Sequence, residues 1–135
     1  MLLLKLSGIS FIYALSLFLQ VELIMNQYRI EKYFNLGDVG KTISWINIVI
    51  IIVTTIICYH FTRRLFFEKK IKYALSILWL PFFILFIKIV AHVYPITDQN
   101  DTPLPGTGLL VLLYITAYPI YILFINVIVS LRPTK

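Results

Sequence analysis

The sequence predicts an all-α integral membrane protein, four transmembrane helices in one bundle with a short amphipathic helix in the first outer loop. Composition is the first observation behind this. Of 135 residues, 60% are apolar and 13% charged, where soluble domains are nearer about 45–50% and about 25%. So apolar a chain cannot clothe a globule of this size in polar surface, and the bilayer becomes its solvent. Span length is the second. Stretches at approximately residues 6–26, 43–61, 73–94 and 108–131 each reach the roughly 17–25 residues that a helix needs to cross about 30 Å of hydrocarbon. The third is pattern: the apolar faces are continuous rather than alternating, which favours helices, with their internal backbone hydrogen bonds, over barrel strands.

The first span follows Lys5. Its apolar core is longer than that of a cleaved signal sequence and no A-x-A site follows, so it is read as a retained helix. Ser10 and Ala14, four residues apart, and Ser16 give it a face of small residues suited to close helix contact. In residues 27–42, Tyr28, Ile30, Tyr33, Phe34 and Leu36 alternate with Arg29, Glu31 and Lys32, which predicts a short surface helix broken at Gly37. The stretch Gly37-Asp38-Val39-Gly40-Lys41-Thr42 resembles the end of a phosphate-binding loop. Asn35 stands where that motif requires its first glycine, so the stretch is read as a turn with Lys41 at the headgroups. Pro81 and Pro119 fall inside the third and fourth spans, where each removes a backbone bond and is expected to shape its helix. Between those spans, Pro95, Pro103, Pro105 and Gly106 predict a compact irregular loop. Within it, Asn100-Asp101-Thr102 has the form of a glycosylation sequon and is followed by Pro103.

Orientation follows from Lys and Arg in short loops, which resist translocation. The connection between the second and third spans carries Arg63, Arg64, Lys69, Lys70 and Lys72 against Glu68 and is expected to be cytoplasmic. Both termini then lie inside, in agreement with Lys5, Arg132 and Lys135, and the expected location is a bacterial cytoplasmic membrane. Rings mark the interfaces: Tyr28, Tyr33, Trp45 and Tyr94 at the outer edge, Tyr59, Phe66, Phe67 and Tyr73 at the inner. The net charge of +6 is accounted for by this topology, without nucleic acid as a partner. Cys58 is the sole cysteine, which excludes an intramolecular disulfide and a Cys-rich metal motif; neither a metal nor a cofactor is implied.

Charged groups within the bilayer are the first functional candidates. At about 1.5 Å per residue, Glu22 lies about 24 Å and Lys88 about 22 Å from the inner ends of their spans. Matching depth predicts a pair facing the bundle interior. His92 follows Lys88 by one helical turn, and Asn47, Tyr114 and Thr116 fall near the same level, so an intramembrane polar cluster is expected. Its functional reading is a binding or proton-linked site, with Glu22 as acceptor, Lys88 as counter-ion and His92 as a group titrating near neutral pH. Its structural reading is an interhelical clamp, or a Lys88 that snorkels to the interface. The basic connection offers a second candidate, since each cation near the surface contributes about 1 kcal/mol toward anionic headgroups, or toward an acidic partner; its plainer reading is a topology determinant.

Catalytic sets are lacking: no Ser/His/Asp or Cys/His arrangement and no HExxH motif occur, and His92, Asp98 and Asp101 are a thin constellation for an enzyme acting on the outer side. In size, four-span layout and basic inner loop, the chain resembles the immunity proteins that protect bacteria from membrane-inserting toxins. That resemblance is architectural and implies no residue roles. The expected function is therefore non-enzymatic binding of a protein partner in the bilayer, as an accessory subunit or an immunity-type protein. A small oligomeric transporter or channel using the Glu/Lys/His cluster is the alternative, and an outer-side membrane enzyme the weaker one.

Overall fold

The structure is a computed structural model that describes residues 1–35 and 37–131. Leu36, Arg132 and Lys135, to which the sequence assigned a place in the surface helix and at the cytoplasmic end, lie outside the described residues. The described residues form α1 (Leu2–Met25), α2 (Gln27–Phe34), α3 (Val39–Phe66), a 3₁₀ segment (Lys70–Ala74), α4 (Leu75–Val93), a second 3₁₀ segment (Gln99–Asp101) and α5 (Pro105–Leu131). No strand occurs among them. Four of these helices, α4 taken with its leading 3₁₀ turns, are long and apolar enough to cross a membrane. The protein is thus an all-α bundle with the composition of an integral membrane protein. One end of the bundle carries residue 1 and the basic α3–α4 connection; it is called the basic end, and the other the α2 end.

Helix α1 is the hub, packing on α3, α4 and α5. It can do so because its buried residues, Leu6, Ile9, Ser10, Tyr13, Ala14, Leu17, Gln20 and Val21, recur at helical spacing along a broad face. Ser10 and Ala14 are fully buried, as their small volume allows. Against this face lie Trp79 and Phe83 of α4, Tyr118, Ile122, Ile125 and Val129 of α5, and Cys58 and Phe66 of α3. Most apolar side chains on the outward faces of α3, α4 and α5 remain uncovered, Ile56, Ile77 and Phe124 among them. That surface suits hydrocarbon, in which association rests on packing and hydrogen bonds rather than on release of water.

The ends of the helices depart from the sequence expectation in three places. The surface helix stops at Asn35, not at Gly37: Asn35 adopts the left-handed conformation at φ 50°, and its amide donates to the Glu31 carbonyl. Asparagine tolerates this conformation because its short side chain bonds locally. Helix α3 begins earlier than the apolar run, since Asp38 caps it by accepting from the Lys41 amide at 3.1 Å. The Asp-x-x-Lys-Thr part of the loop that resembles a phosphate site is therefore a helix cap, with Thr42 Oγ1 donating to the Asp38 carbonyl. A side chain at Gly40 would meet Gln27 Nε2 at 3.1 Å, so this glycine admits the start of α2. At the basic end, α3 continues to Phe66, and much of the expected basic loop is helix. Phe66 is fully buried in the core rather than in an interfacial belt.

Lys72 also departs from expectation. It was expected on the basic loop surface, yet it is 4% exposed and its Nζ donates to the Phe67 carbonyl at 2.7 Å. It thereby neutralises part of the negative C-terminal end of α3. Its ammonium also lies 6.0 Å from the Phe67 ring and 5.8 Å from that of Tyr73. Asn126 Nδ2 of α5 donates to the Lys72 carbonyl at 3.0 Å, tying three helices together at this end.

Candidate functional site

Polar side chains run along the bundle interior. Near mid-span, Thr54 Oγ1 of α3 donates to Ser16 Oγ of α1 at 2.7 Å, and Gln20 Nε2 donates back to the Ser16 carbonyl at 3.2 Å. Tyr118 OH donates to the Tyr13 carbonyl at 2.7 Å, and Thr55 and Tyr121 share a hydrogen bond of 2.6 Å. The rings of Tyr13, Tyr118, Tyr121 and Trp79 meet edge-on or tilted, with centroids 5.2–6.3 Å apart. These contacts fasten the helices to one another.

Above this seam, at the α2 end, residues of α1, α2, α4 and α5 line a cleft of about 950 Å³. Helix α4 lines it with Phe83, Ile87, Val90, Ala91 and Tyr94, which helical spacing puts on one face, and α5 adds Val111 and Ile115. The remaining wall mixes apolar Val21, Met25 and Ile96 with the polar group Glu22, Asn26 and Arg29, which stack at successive turns from the end of α1 into α2. Asn26 Nδ2 donates to Glu22 Oε2 at 2.7 Å and to the Glu22 carbonyl at 2.9 Å. Arg29 Nη1 donates to Asn26 Oδ1 at 3.3 Å, and its Nε lies 3.9 Å from Asp101 Oδ2. This is the one ion pair among the described residues, and it bridges α2 to the 3₁₀ turn.

The depth-matched partner of Glu22 is not where the sequence placed it. Lys88 is exposed and has no ion pair or hydrogen bond among the described residues. Depth depends on position along a helix, whereas facing depends on rotation. Lys88 is one residue, about 100°, past the cleft-facing Ile87, and His92 is equally far past Ala91. Lys88 and His92 do share a face of α4, pointing away from Glu22. Asn47 is buried on α3 and its Oδ1 has no partner among the described residues. Tyr114 is half-buried against the core, and exposed Thr116 spends its hydroxyl on the Leu112 carbonyl of its own helix at 2.8 Å. The expected six-residue cluster is thus dispersed, with Glu22 alone of the six lining the cleft.

Of the acidic residues at the α2 end, Asp98 accepts from the Asn100 amide at 3.0 Å and Asp101 faces Arg29, while His92 is exposed. Among the described residues no three His, Cys, Asp or Glu side chains converge where a metal ion fits. At the basic end a shallower cavity of about 590 Å³ gathers His60, Arg63, Arg64 and Lys69 beside Glu68. Arg63 Nη1 there donates to Tyr59 OH at 3.1 Å.

Sequence reasoning missed Asn26 and the contacts of Arg29 with Asn26 and Asp101. The Glu22, Asn26, Arg29 spacing of four and three was a readable signal, because it puts all three on one face if the helix continues through Asn26. Compared with models of protein families, with curated proteins and with solved structures, the chain matches none.

Proposed function

We propose that the chain is a small non-enzymatic integral membrane protein that works by binding within the bilayer, and that its binding element is the cleft at the α2 end. The observation that carries this reading is the cleft itself. Its volume of about 950 Å³ is at the upper end of the roughly 300–1,000 Å³ typical of ligand sites, and few polar groups converge on apolar walls, as such sites require. With the basic end cytoplasmic, as the Lys and Arg distribution favours, the cleft opens in the outer half of the membrane. A guest there is either an amphiphile or one segment of a partner protein, the latter being the form expected from the sequence.

Extraction in a neutral mild detergent, with the mass measured and co-purifying species identified, tests the proposal. Ala91 lines the cleft, so Ala91→Trp is expected to displace a stoichiometric protein or lipid that accompanies the natural sequence. Identical co-purification with the variant, or none with either, refutes it. A homo-oligomer with nothing else bound supports the transporter reading instead. Its supporting observation is the run of buried polar atoms without partners, Ser10 Oγ, Tyr13 OH, Thr62 Oγ1, Ser76 Oγ and Asn126 Oδ1, contributed by all four spans.

A further inference from the structure

We infer that the cleft takes a long-chain amphiphile with a cationic head, an amine or quaternary ammonium, seated on the Glu22 carboxylate. The inference rests on the binding role proposed above and adds the chemistry of the guest. Two charged side chains line the cleft, Glu22 and Arg29. They are not equivalent. Arg29 lies 3.9 Å from the Asp101 carboxylate and donates to Asn26, and it reaches Glu22 only through space, without an ion-pair contact. Glu22 receives one side-chain hydrogen bond, from the uncharged amide of Asn26, and no cation among the described residues lies within ion-pair distance of it. The cleft lining is formally neutral, Glu22 against Arg29; with Arg29 facing Asp101 outside the lining, the Glu22 carboxylate is the charge left without an ion-pair partner among the described residues.

The position of Glu22 makes that charge consequential. It lies three residues before the end of α1, about 4–5 Å below it, so it sits beneath the interfacial α2. An unpaired carboxylate at such a depth is costly, and a cation brought by the guest offsets that cost. The Asn26 bond holds Oε2, and half-buried Glu22 lines the cleft. Directly below, Val21, Phe83, Ile87 and Ile115 form an apolar wall for an alkyl chain. The cleft is thus mainly apolar with one carboxylate lacking an ion-pair partner, the combination that suits a single-chain cationic amphiphile. An anionic head would instead have to displace Asp101 from Arg29 while approaching Glu22.

The test uses the full chain in neutral maltoside micelles, with tetradecyltrimethylammonium, tetradecanol and tetradecanoate added at equal mole fraction and bound guest counted by native mass spectrometry. The ammonium compound is expected to bind about tenfold more tightly than the alcohol, the ratio that a modest charge interaction supplies. Glu22→Gln should bring that ratio close to one. Lys88→Gln should leave it unchanged, and Ala91→Trp should abolish binding of all three guests. Resistance of buried Cys58 to maleimide reports that each variant is folded. Equal binding of ammonium and alcohol, a preference for tetradecanoate, or an undiminished ammonium preference in Glu22→Gln overturns the cationic guest. If Ala91→Trp still abolishes binding in those cases, the cleft remains the binding element. Binding that is indifferent to Ala91→Trp, or absent for every guest, overturns both.

Discussion

Glu22 discriminates between two arrangements, one drawn from depth alone and one from contact, and a pair of double-mutant cycles separates them. In the first cycle, Glu22→Ala and Asn26→Ala are measured singly and together. Their side chains meet at 2.7 Å in a half-buried setting. Hydrogen bonds within membrane bundles average about 0.6 kcal/mol and reach about 1.7, and an ionised acceptor strengthens such a bond roughly twofold. The expected coupling is therefore about 1 kcal/mol. In the second cycle, Glu22→Ala is combined with Lys88→Ala. Lys88 faces away from the cleft and makes no ion pair among the described residues, so the two changes should add within about 0.3–0.5 kcal/mol, as non-contacting sites do. Reversible unfolding in mixtures of maltoside and dodecyl sulfate, followed by the fluorescence of buried Trp79, supplies the free energies. A Glu22–Lys88 coupling above about 1 kcal/mol together with none between Glu22 and Asn26 would refute the rotational argument on which the cleft is built.

The same unfolding assay checks further expectations. Tyr118→Phe removes a 2.7 Å donation to the Tyr13 carbonyl and should cost about 1 kcal/mol. Tyr13→Phe should be neutral or stabilising, because its buried hydroxyl has no hydrogen-bond partner beyond the weak thiol of Cys58 beside it. Lys72→Met should destabilise by about 1–2 kcal/mol through loss of its bond to the Phe67 carbonyl. Lys69→Met, on an exposed neighbour, should stay within about 0.5 kcal/mol; equal costs for the two would contradict the burial of Lys72. Cys58, at 0% exposure, should react with maleimide only as the bundle unfolds. Prompt labelling of the folded protein would place it on a surface instead.

How far the sequence reads depends on which coordinate a residue's role requires. Four spans were legible because crossing hydrocarbon demands length and continuous apolarity, both one-dimensional properties. The short helix before α3 was legible as an amphipathic stretch, although its stop at Asn35 turned on one residue's left-handed backbone, a local choice that composition did not fix. Ser10 and Ala14 were readable as a packing face because small residues four apart lie on one side of a helix. Counting along the chain also gave the depth of Glu22 and Lys88.

By itself, then, the sequence determined that this protein consists of apolar helices of bilayer length, and at what depth along them its rare charges lie. Only the tertiary structure decided which way each charge faces. The rotation of α4 about its axis is set by the burial of Trp79 and Phe83 against the rest of the core, and that rotation turns Lys88 outward while Ile87 closes on the cleft. The fate of Lys72 was likewise decided in three dimensions, since its burial needs the end of α3, the 3₁₀ turn and Asn126 of α5 at one point. Depth accumulates residue by residue and survives in a linear reading. Facing is fixed by contacts between segments far apart in the chain, and it exists only once they have packed.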